Sequence, residues 1–136
     1  MGLKERRALA DFQTNKYPEI ERSIREAAGF DVPIEVDWES LALEGSAHLY
    51  DECFPEIYFK PLVAALKSIT SDDMGREALK ASLKKIQIKN RSEIFSYGRM
   101  ATFADGLLTL DHLPTSNVHD TEGRRKAIQN LLEDSL

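Results

Sequence analysis

The sequence predicts an α+β fold: an antiparallel or mixed sheet of about four strands, with helices packed mainly on one of its faces. Segments with apolar residues at helical spacing occur at both ends and in the middle of the chain, and short alternating segments lie between them. Asp105 and Gly106 separate two apolar runs, which is a strong hairpin signal. The predicted order is helix, strand, helix, helix, strand, strand, strand, helix, and residues 1–136 are expected to form a single globular domain.

The composition is that of a folded protein with no attraction to phosphate backbones. Hydrophobic residues make up 42% of the chain and charged residues 30%, which argues against disorder. The net charge of −5 disfavours nucleic acid as a partner. No apolar run has the length of a membrane span, and no apolar core of a secretory signal follows the first basic residues. We therefore expect a cytoplasmic protein with no membrane partner.

Cys53 is the only cysteine, so the chain forms no internal disulfide and suits a reducing compartment. Its neighbours Asp51 and Glu52 are expected to raise the pKa of the thiol and to make it a poor nucleophile. A partly buried structural cysteine is the favoured interpretation.

The first helical pattern covers residues 3–28. Its apolar side chains fall near one stripe at spacings of three and four: Leu9, Phe12, Ile20, Ile24 and Ala27. Pro18 interrupts the pattern, which predicts a kink or a second helix starting there. Gly29 is placed to end the helix in a left-handed conformation.

The first strand is predicted from Ile34 to about Leu41, after Pro33. Alternation gives it two unlike faces. The face expected against the core carries Ile34, Val36 and Trp38. The other face carries Glu35, Asp37 and Glu39. We expect these carboxylates to be solvent-exposed, with cross-strand ion pairs or a protein-binding face as the alternatives.

The middle of the chain, residues 50–83, is predicted to be helical in two parts. Pro55 suits a first turn, and Pro61 suggests that an irregular segment precedes a firm helix that runs to Ile69. Acidic residues Asp72 and Asp73 mark the start of the next helix, because carboxylates favour its positive end. Apolar side chains cluster before Pro61, and core packing is favoured over a ligand pocket for them: Phe54, Ile57, Tyr58 and Phe59.

The last third of the chain is predicted to contain three strands and a helix. Residues 84–90 alternate, residues 100–104 and 107–111 flank the hairpin turn, and Asp120 or Thr121 starts the final helix. Because these strands are close in sequence, an antiparallel meander is expected. The first strand then joins at an edge or beside the central strand. The basic cluster at 124–126, on the opening turn of the final helix, suggests a partner carboxylate or anion.

No motif in the sequence assigns a reaction, a metal or a cofactor. The glycines form no phosphate-binding loop, and no serine stands in a nucleophile elbow. His112 and His119 each adjoin an aspartate and flank one loop, but their spacing matches no known metal site, so a solvated loop is favoured. We predict no catalytic residue, no metal and no cofactor.

Two functional hypotheses follow. The first is a non-enzymatic protein-interaction or self-associating module, either a homodimer or an acidic module that neutralises a basic partner as immunity proteins do. The second is a small-molecule-binding protein or enzyme, with a pocket between the sheet and the aromatic segment 54–59. The side chains expected to line that pocket are Trp38, Phe54, Tyr58, Phe59 and Phe103, with His48 or His112 as the polar group. The candidate binding residues overall are Glu35, Asp37, Trp38, Tyr58, Phe59 and His112.

Overall fold

A computed structural model, which describes residues 2–136, confirms the α+β prediction with a mixed sheet in the order β1-β2-β4-β3. The strands are β1 (Ile34–Val36), β2 (Lys85–Lys89), β3 (Ala101–Ala104) and β4 (Leu107–Asp111). The β1–β2 and β2–β4 pairs are parallel, and β3 is antiparallel to β4. The carboxyl ends of β1, β2 and β4 therefore meet at one edge of the sheet.

Helices cover one face of this sheet. They are α1 (Leu3–Asn15), α2 (Tyr17–Ala28), α3 (Trp38–Leu41), α4 (Tyr50–Phe54), α5 (Lys60–Ile69), α6 (Asp73–Ser82) and α7 (Thr121–Ser135). Short 3₁₀ turns cover Ala47–Leu49 and Tyr97–Arg99, and a π-helical segment, Pro55–Phe59, joins α4 to α5. The covered face supplies the buried strand residues Ile86, Ile88, Leu108 and Leu110. No helix within residues 2–136 has the length and apolarity needed to cross a bilayer.

The expected antiparallel meander is wrong, because β2 pairs with β4 in parallel and β3 lies at the edge. The segment 90–100 carries the chain across the sheet before the hairpin begins, and the hairpin then returns β4 to the centre. The contact that starts this pairing joins residues distant in sequence: the amide of Lys84 donates to the carbonyl of Gly106 at 2.8 Å. β1 lies at the other edge, beside β2, which was one of the expected positions.

The first strand is shorter than predicted, since it ends at Val36 and not near Leu41. The amide of Asp37 makes the last ladder bond, to the carbonyl of Ile88 at 2.8 Å. The chain then turns into α3, and the hydroxyl of Ser40 bonds back to the carbonyl of Asp37 at 2.7 Å. Because Trp38 is the first residue of α3, its side chain leaves the strand face, and its ring packs against the rings of Phe12 and Tyr17.

Local signals correctly predicted several other features of the fold. The first helical pattern is two helices, with Pro18 in the opening turn of α2, and Gly29 ends α2 at a φ of 85°. Asp72 caps α6, since its Oδ1 accepts from the amide of Gly75 at 2.8 Å. Asp105 and Gly106 have φ values of 53° and 81°, as a two-residue hairpin turn requires.

The irregular segment predicted before Pro61 is the π-helical turn, within a helical run that is continuous from residue 50 to 69. Pro61 has no amide to donate, and its ring crowds the carbonyl four residues earlier, so an ordinary α-turn is unfavourable there. The chain instead widens, and the amide of Lys60 reaches the carbonyl of Pro55 five residues back. The side chains of this segment confirm the core interpretation: Phe54, Ile57, Tyr58 and Phe59 are each at most 1% exposed.

Candidate functional site

A groove of about 590 Å³ lies between α1 and α2 on one side and the helical run 50–69 on the other. Apolar side chains line it: Phe12, Ile20, Pro55, Phe59, Val63 and Ala64. Charged side chains stand around them: Lys16, Glu19, Asp51, Lys60 and Lys67. The arrangement is an apolar strip with a polar rim, which is the usual anatomy of a binding surface.

Helical periodicity accounts for the wall formed by residues 55–67. Pro55, Phe59 and Val63 recur every four residues and form one stripe. Lys60 and Lys67 are separated by two turns and form the adjacent stripe with Ala64 between them. At 1.5 Å per residue, the lining residues of this wall extend over about 18 Å.

The floor of the groove is closed by packed rings. Phe12 and Phe59 stack with a centroid separation of 6.2 Å, and they are 0% and 1% exposed. Tyr17 and Trp38 pack behind them, with their own centroids 4.9 Å apart. The groove is therefore open along its length and has a floor that a ligand cannot penetrate.

The π-helical segment shapes this site, because Pro55 and Phe59 bound the segment and both line the groove. A π-turn widens a helix locally and changes the direction of its side chains, and such turns often occur at functional sites. The sequence signal for it was the pair of prolines at 55 and 61.

The rim differs in charge from the whole protein. Three lysines and two carboxylates line the groove, which is a local excess of one positive charge against a net charge of −5 for the chain. Lys60 forms an ion pair with Glu56. Lys16 and Lys67 form no ion pair with any other residue of the described range 2–136.

The acidic residues predicted on the first strand lie away from the groove, and two of them form ion pairs. Glu35 pairs with Lys85 of the neighbouring strand. Asp37 accepts from Nε of Arg91 at 2.8 Å, and Arg91 lowers the pKa of this carboxyl. Glu35 and Glu39 are solvent-exposed, as expected. Cross-strand ion pairing, one of the alternatives for this face, is present as well, in the pair of Glu35 with Lys85.

Tyr58 and His112 lie together in the core. The Tyr58 hydroxyl donates to the carbonyl of His112 at 2.5 Å, and burial raises the pKa of that hydroxyl. His112 is 0% exposed, with Nδ1 2.5 Å from the carbonyl oxygen of Leu113, and burial lowers the pKa of its imidazole. The solvated-loop interpretation is wrong for His112, because alternation continues from Leu108 and Leu110 and turns its ring inward.

The predicted pocket and the observed groove differ in place. The structure does bring Trp38 and Phe59 together, with centroids 6.4 Å apart. However, Phe54 and Tyr58 are fully buried and pack against other rings, so the segment does not line a cavity facing the sheet. Among the predicted binding residues, Phe59 lines the groove, which opens toward α1 and α2.

The basic cluster at 124–126 divides into an internal and an external part. Arg124 is fully buried, and its Nη1 and Nη2 atoms donate to the carbonyls of Ser116, Asn117 and Val118. Arg125 pairs with Glu122 on the surface. The sequence suggested a carboxylate or anion as the partner of this cluster. Arg124 instead binds backbone carbonyls of the loop before α7.

Cys53 is buried at 3% exposure, and burial raises the pKa of its thiol, with Glu52 adding to the effect. Cys53 is therefore more deeply buried than expected, and the predicted rise in the pKa of its thiol is present. Within residues 2–136, no cluster of three or more His, Cys, Asp or Glu side chains is arranged to hold a metal ion.

Compared with family models, curated proteins and solved structures, the chain has no match in any of the three.

Proposed function

We propose that the protein is a non-enzymatic protein-interaction module that binds a helical segment of another protein in the groove. The observation that carries this proposal is the shape of the site: an open apolar groove about 18 Å long between helices, with a closed floor. A helix laid in such a groove contributes an apolar stripe at spacings of three, four and seven residues. It leaves its polar face in water and covers the open side itself.

A small molecule fits this shape less well, although the volume lies in the range of ligand pockets. Such pockets bury most of a ligand's surface. Here Phe12 and Phe59 close the floor, so a small ligand would lie on the surface with one side in water. An amphiphile with an apolar chain and an anionic group near Lys60 or Lys67 is the second candidate.

A second copy of this chain is also less suitable at this site. A twofold dimer places the same surface patch on both partners, and two concave patches facing each other leave a void. The uncovered sheet face offers no apolar centre for self-association, because it presents Glu35, Lys85 and Thr102. A basic partner does not match the rim of the groove, which carries an excess of lysine.

The proposed location is the cytoplasm. The support for it is Cys53, a buried free thiol, which suits a reducing compartment.

Photocrosslinking from the groove tests the proposal. A photoreactive amino acid replaces Ala64 in the full chain expressed in its source cells, and the same group at Thr102, on the open sheet face, is the control. We expect a protein adduct at position 64 that maps to a segment with apolar residues at helical spacing. The added substitution Val63→Glu, which puts a charge on the apolar strip, is expected to abolish the adduct.

Equal yields of protein adduct at positions 64 and 102 would contradict the proposal. So would a native mass spectrum in which the protein carries a bound small molecule that Val63→Glu removes.

A further inference from the structure

Building on the proposed function, we infer that the partner helix is acidic along one flank, with carboxylates two turns apart that pair with Lys60 and Lys67. The two lysines belong to the same stripe of α5, and Ala64 lies between them. At seven residues apart, their backbone positions are separated by about 10.5 Å along the helix axis. Two carboxylates with the same spacing on a neighbouring helix match that separation.

Lys60 and Lys67 lie beside the apolar strip, and this position determines which face of the partner helix they contact. The strip of Pro55, Phe59 and Val63 runs beside them on the same helical wall. A helix whose apolar stripe covers this strip presents its adjacent flank to Lys60 and Lys67. The relation is that of the charged flanking positions of a coiled coil, which set register and partner choice.

The opposite wall of the groove, formed by α1 and α2, does not require carboxylates on the partner helix. Lys16 and Glu19 line it, so charges of both signs stand there. A partner helix therefore meets one flank that is basic along α5, with Asp51 at its α4 end, and one flank of mixed charge. This asymmetry fixes which way the helix is rotated about its axis and makes the α5 flank the selective one.

Both lysines are available for a new ion pair. Lys67 forms none within the described residues 2–136. Lys60 is paired with Glu56, but the side chain of Lys60 remains 62% exposed. The other oxygen of Glu56 accepts a hydrogen bond from the hydroxyl of Thr121 at 2.7 Å. Glu56 therefore keeps a partner when Lys60 turns toward an incoming carboxylate.

Two synthetic peptides test the inference by fluorescence anisotropy with the full-length protein. Both are 18-residue amphipathic helices with the same leucine stripe, and their flanking positions carry either glutamate or lysine. We expect the glutamate peptide to bind about tenfold more tightly, from two exposed attractive pairs in place of two repulsive ones. The double variant Lys60→Glu, Lys67→Glu is expected to prefer the lysine peptide.

A matched control keeps net charge from explaining the result. Lys80→Glu with Lys84→Glu makes the same change in net charge at exposed positions outside the groove. We expect this variant to retain the preference for the glutamate peptide. A reversal in the control equal to that in the Lys60 and Lys67 variant would overturn the inference.

Two further outcomes distinguish failure of this inference from failure of the proposed helix-binding function. Equal binding of both peptides to the unchanged protein, with shifts in the methyl resonances of Val63 and Ala64, overturns the acidic partner and leaves the helix-binding groove standing. If neither peptide shifts those methyl resonances while laurate does, the groove is an amphiphile site, and both proposals fail.

Discussion

The groove and the carboxyl edge of the sheet are two regions where a function would be sought, and they differ in how their polar groups are used. We define the carboxyl edge as the residues that end or follow the parallel strands: 37–40, 90–92 and 111–112. Ligands of open α/β sheets commonly bind at such an edge. The edge includes aspartates, an arginine and a histidine, whereas no arginine or histidine is among the described residues that line the groove.

Several polar groups of the carboxyl edge are bonded to one another, although two buried atoms, Oδ1 of Asn90 and Nε2 of His112, have no hydrogen-bond partner within residues 2–136. The carboxylate of Asp111 accepts from the amide of Arg91 at 2.9 Å, the amide of Ser92 at 3.3 Å and the hydroxyl of Ser92 at 3.0 Å. The hydroxyl of Ser40 accepts from the amide of Asn90 at 3.0 Å. These bonds join the loops after β1 and β2 to the end of β4, so the edge stabilises the sheet. The groove instead has partly exposed apolar side chains, including Pro55 and Val63, beside exposed lysines.

The largest expected effect tests the structural role of the edge. Asp111→Ala removes the acceptor for three donors, two of which are backbone amides. Asp111 is only 7% exposed, so water cannot easily replace the lost acceptor. We expect a loss of about 3 kcal/mol in the free energy of unfolding, measured by urea denaturation. Binding of the glutamate peptide at the groove is expected to be unchanged under conditions in which the variant is folded.

Asp37→Ala is the matched comparison at the same edge. This carboxylate pairs with the exposed guanidinium of Arg91, so its removal is expected to cost less than about 1 kcal/mol. Equal losses for the two aspartates would show that burial of the acceptor does not set the stability of this edge.

A smaller effect is expected from His112, also at the edge. Burial lowers the pKa of its imidazole in the folded state, so the unfolded chain takes up a proton first as the pH falls. The stability is therefore complete above an unfolded pKa of about 6.5 and decreases as the pH falls from there through the folded pKa. The slope from one such group is at most about 1.4 kcal/mol per pH unit.

Urea midpoints measured between pH 8 and pH 5 check this dependence. Arg124 and Asp111 face His112 and act on its pKa in opposite directions, since Arg124 lowers it and Asp111 raises it. We expect His112→Leu to flatten the profile and His119→Gln, at an exposed position, to leave it unchanged. An identical slope in wild type and His112→Leu would contradict the assignment.

The contrast between the two regions also explains what the sequence could predict. Signals carried by neighbouring residues were sufficient for the hairpin at Asp105 and Gly106, the end of α2 at Gly29 and the cap at Asp72. The strand order depends on pairing between Lys84 and Gly106, which no local pattern encodes. Trp38 was wrongly assigned to the strand, because alternation continues through it in the sequence while the backbone has already turned into α3, although its packing against the core was predicted correctly.

The groove was beyond sequence reasoning for a similar reason. Its walls come from segments far apart in the chain, and their packing is fixed by tertiary contacts such as the bond from the hydroxyl of Thr70 to the carbonyl of Ala27 at 2.8 Å. The residues along α5 show an apolar stripe, but a stripe alone does not say whether a neighbour covers it. The inward position of His112 could have been read from Leu108 and Leu110, two and four residues earlier on the same face.

The smallest expected effect on stability tests the groove itself. Ala64→Glu places a carboxylate between Lys60, four residues earlier, and Lys67, three residues later, on a partly exposed turn of α5. Pairs at these spacings each contribute about 0.2–0.5 kcal/mol, which offsets the lower helix propensity of glutamate. The free energy of unfolding is therefore expected to change by less than about 0.5 kcal/mol.

Binding should respond quite differently to the same substitution. The new side chain lies beside the apolar strip and pairs with the lysines that a partner's carboxylates would meet, so we expect the glutamate peptide to bind at least about tenfold more weakly. Thr102→Glu, on the open sheet face, adds the same charge and is expected to leave binding unchanged. A stable Ala64→Glu protein that binds the peptide as wild type does would exclude the groove as the binding surface. Ala64→Glu is thus expected to lower binding and keep stability, whereas Asp111→Ala is expected to lower stability and keep binding. This opposite pattern distinguishes a binding surface from an edge that stabilises the sheet.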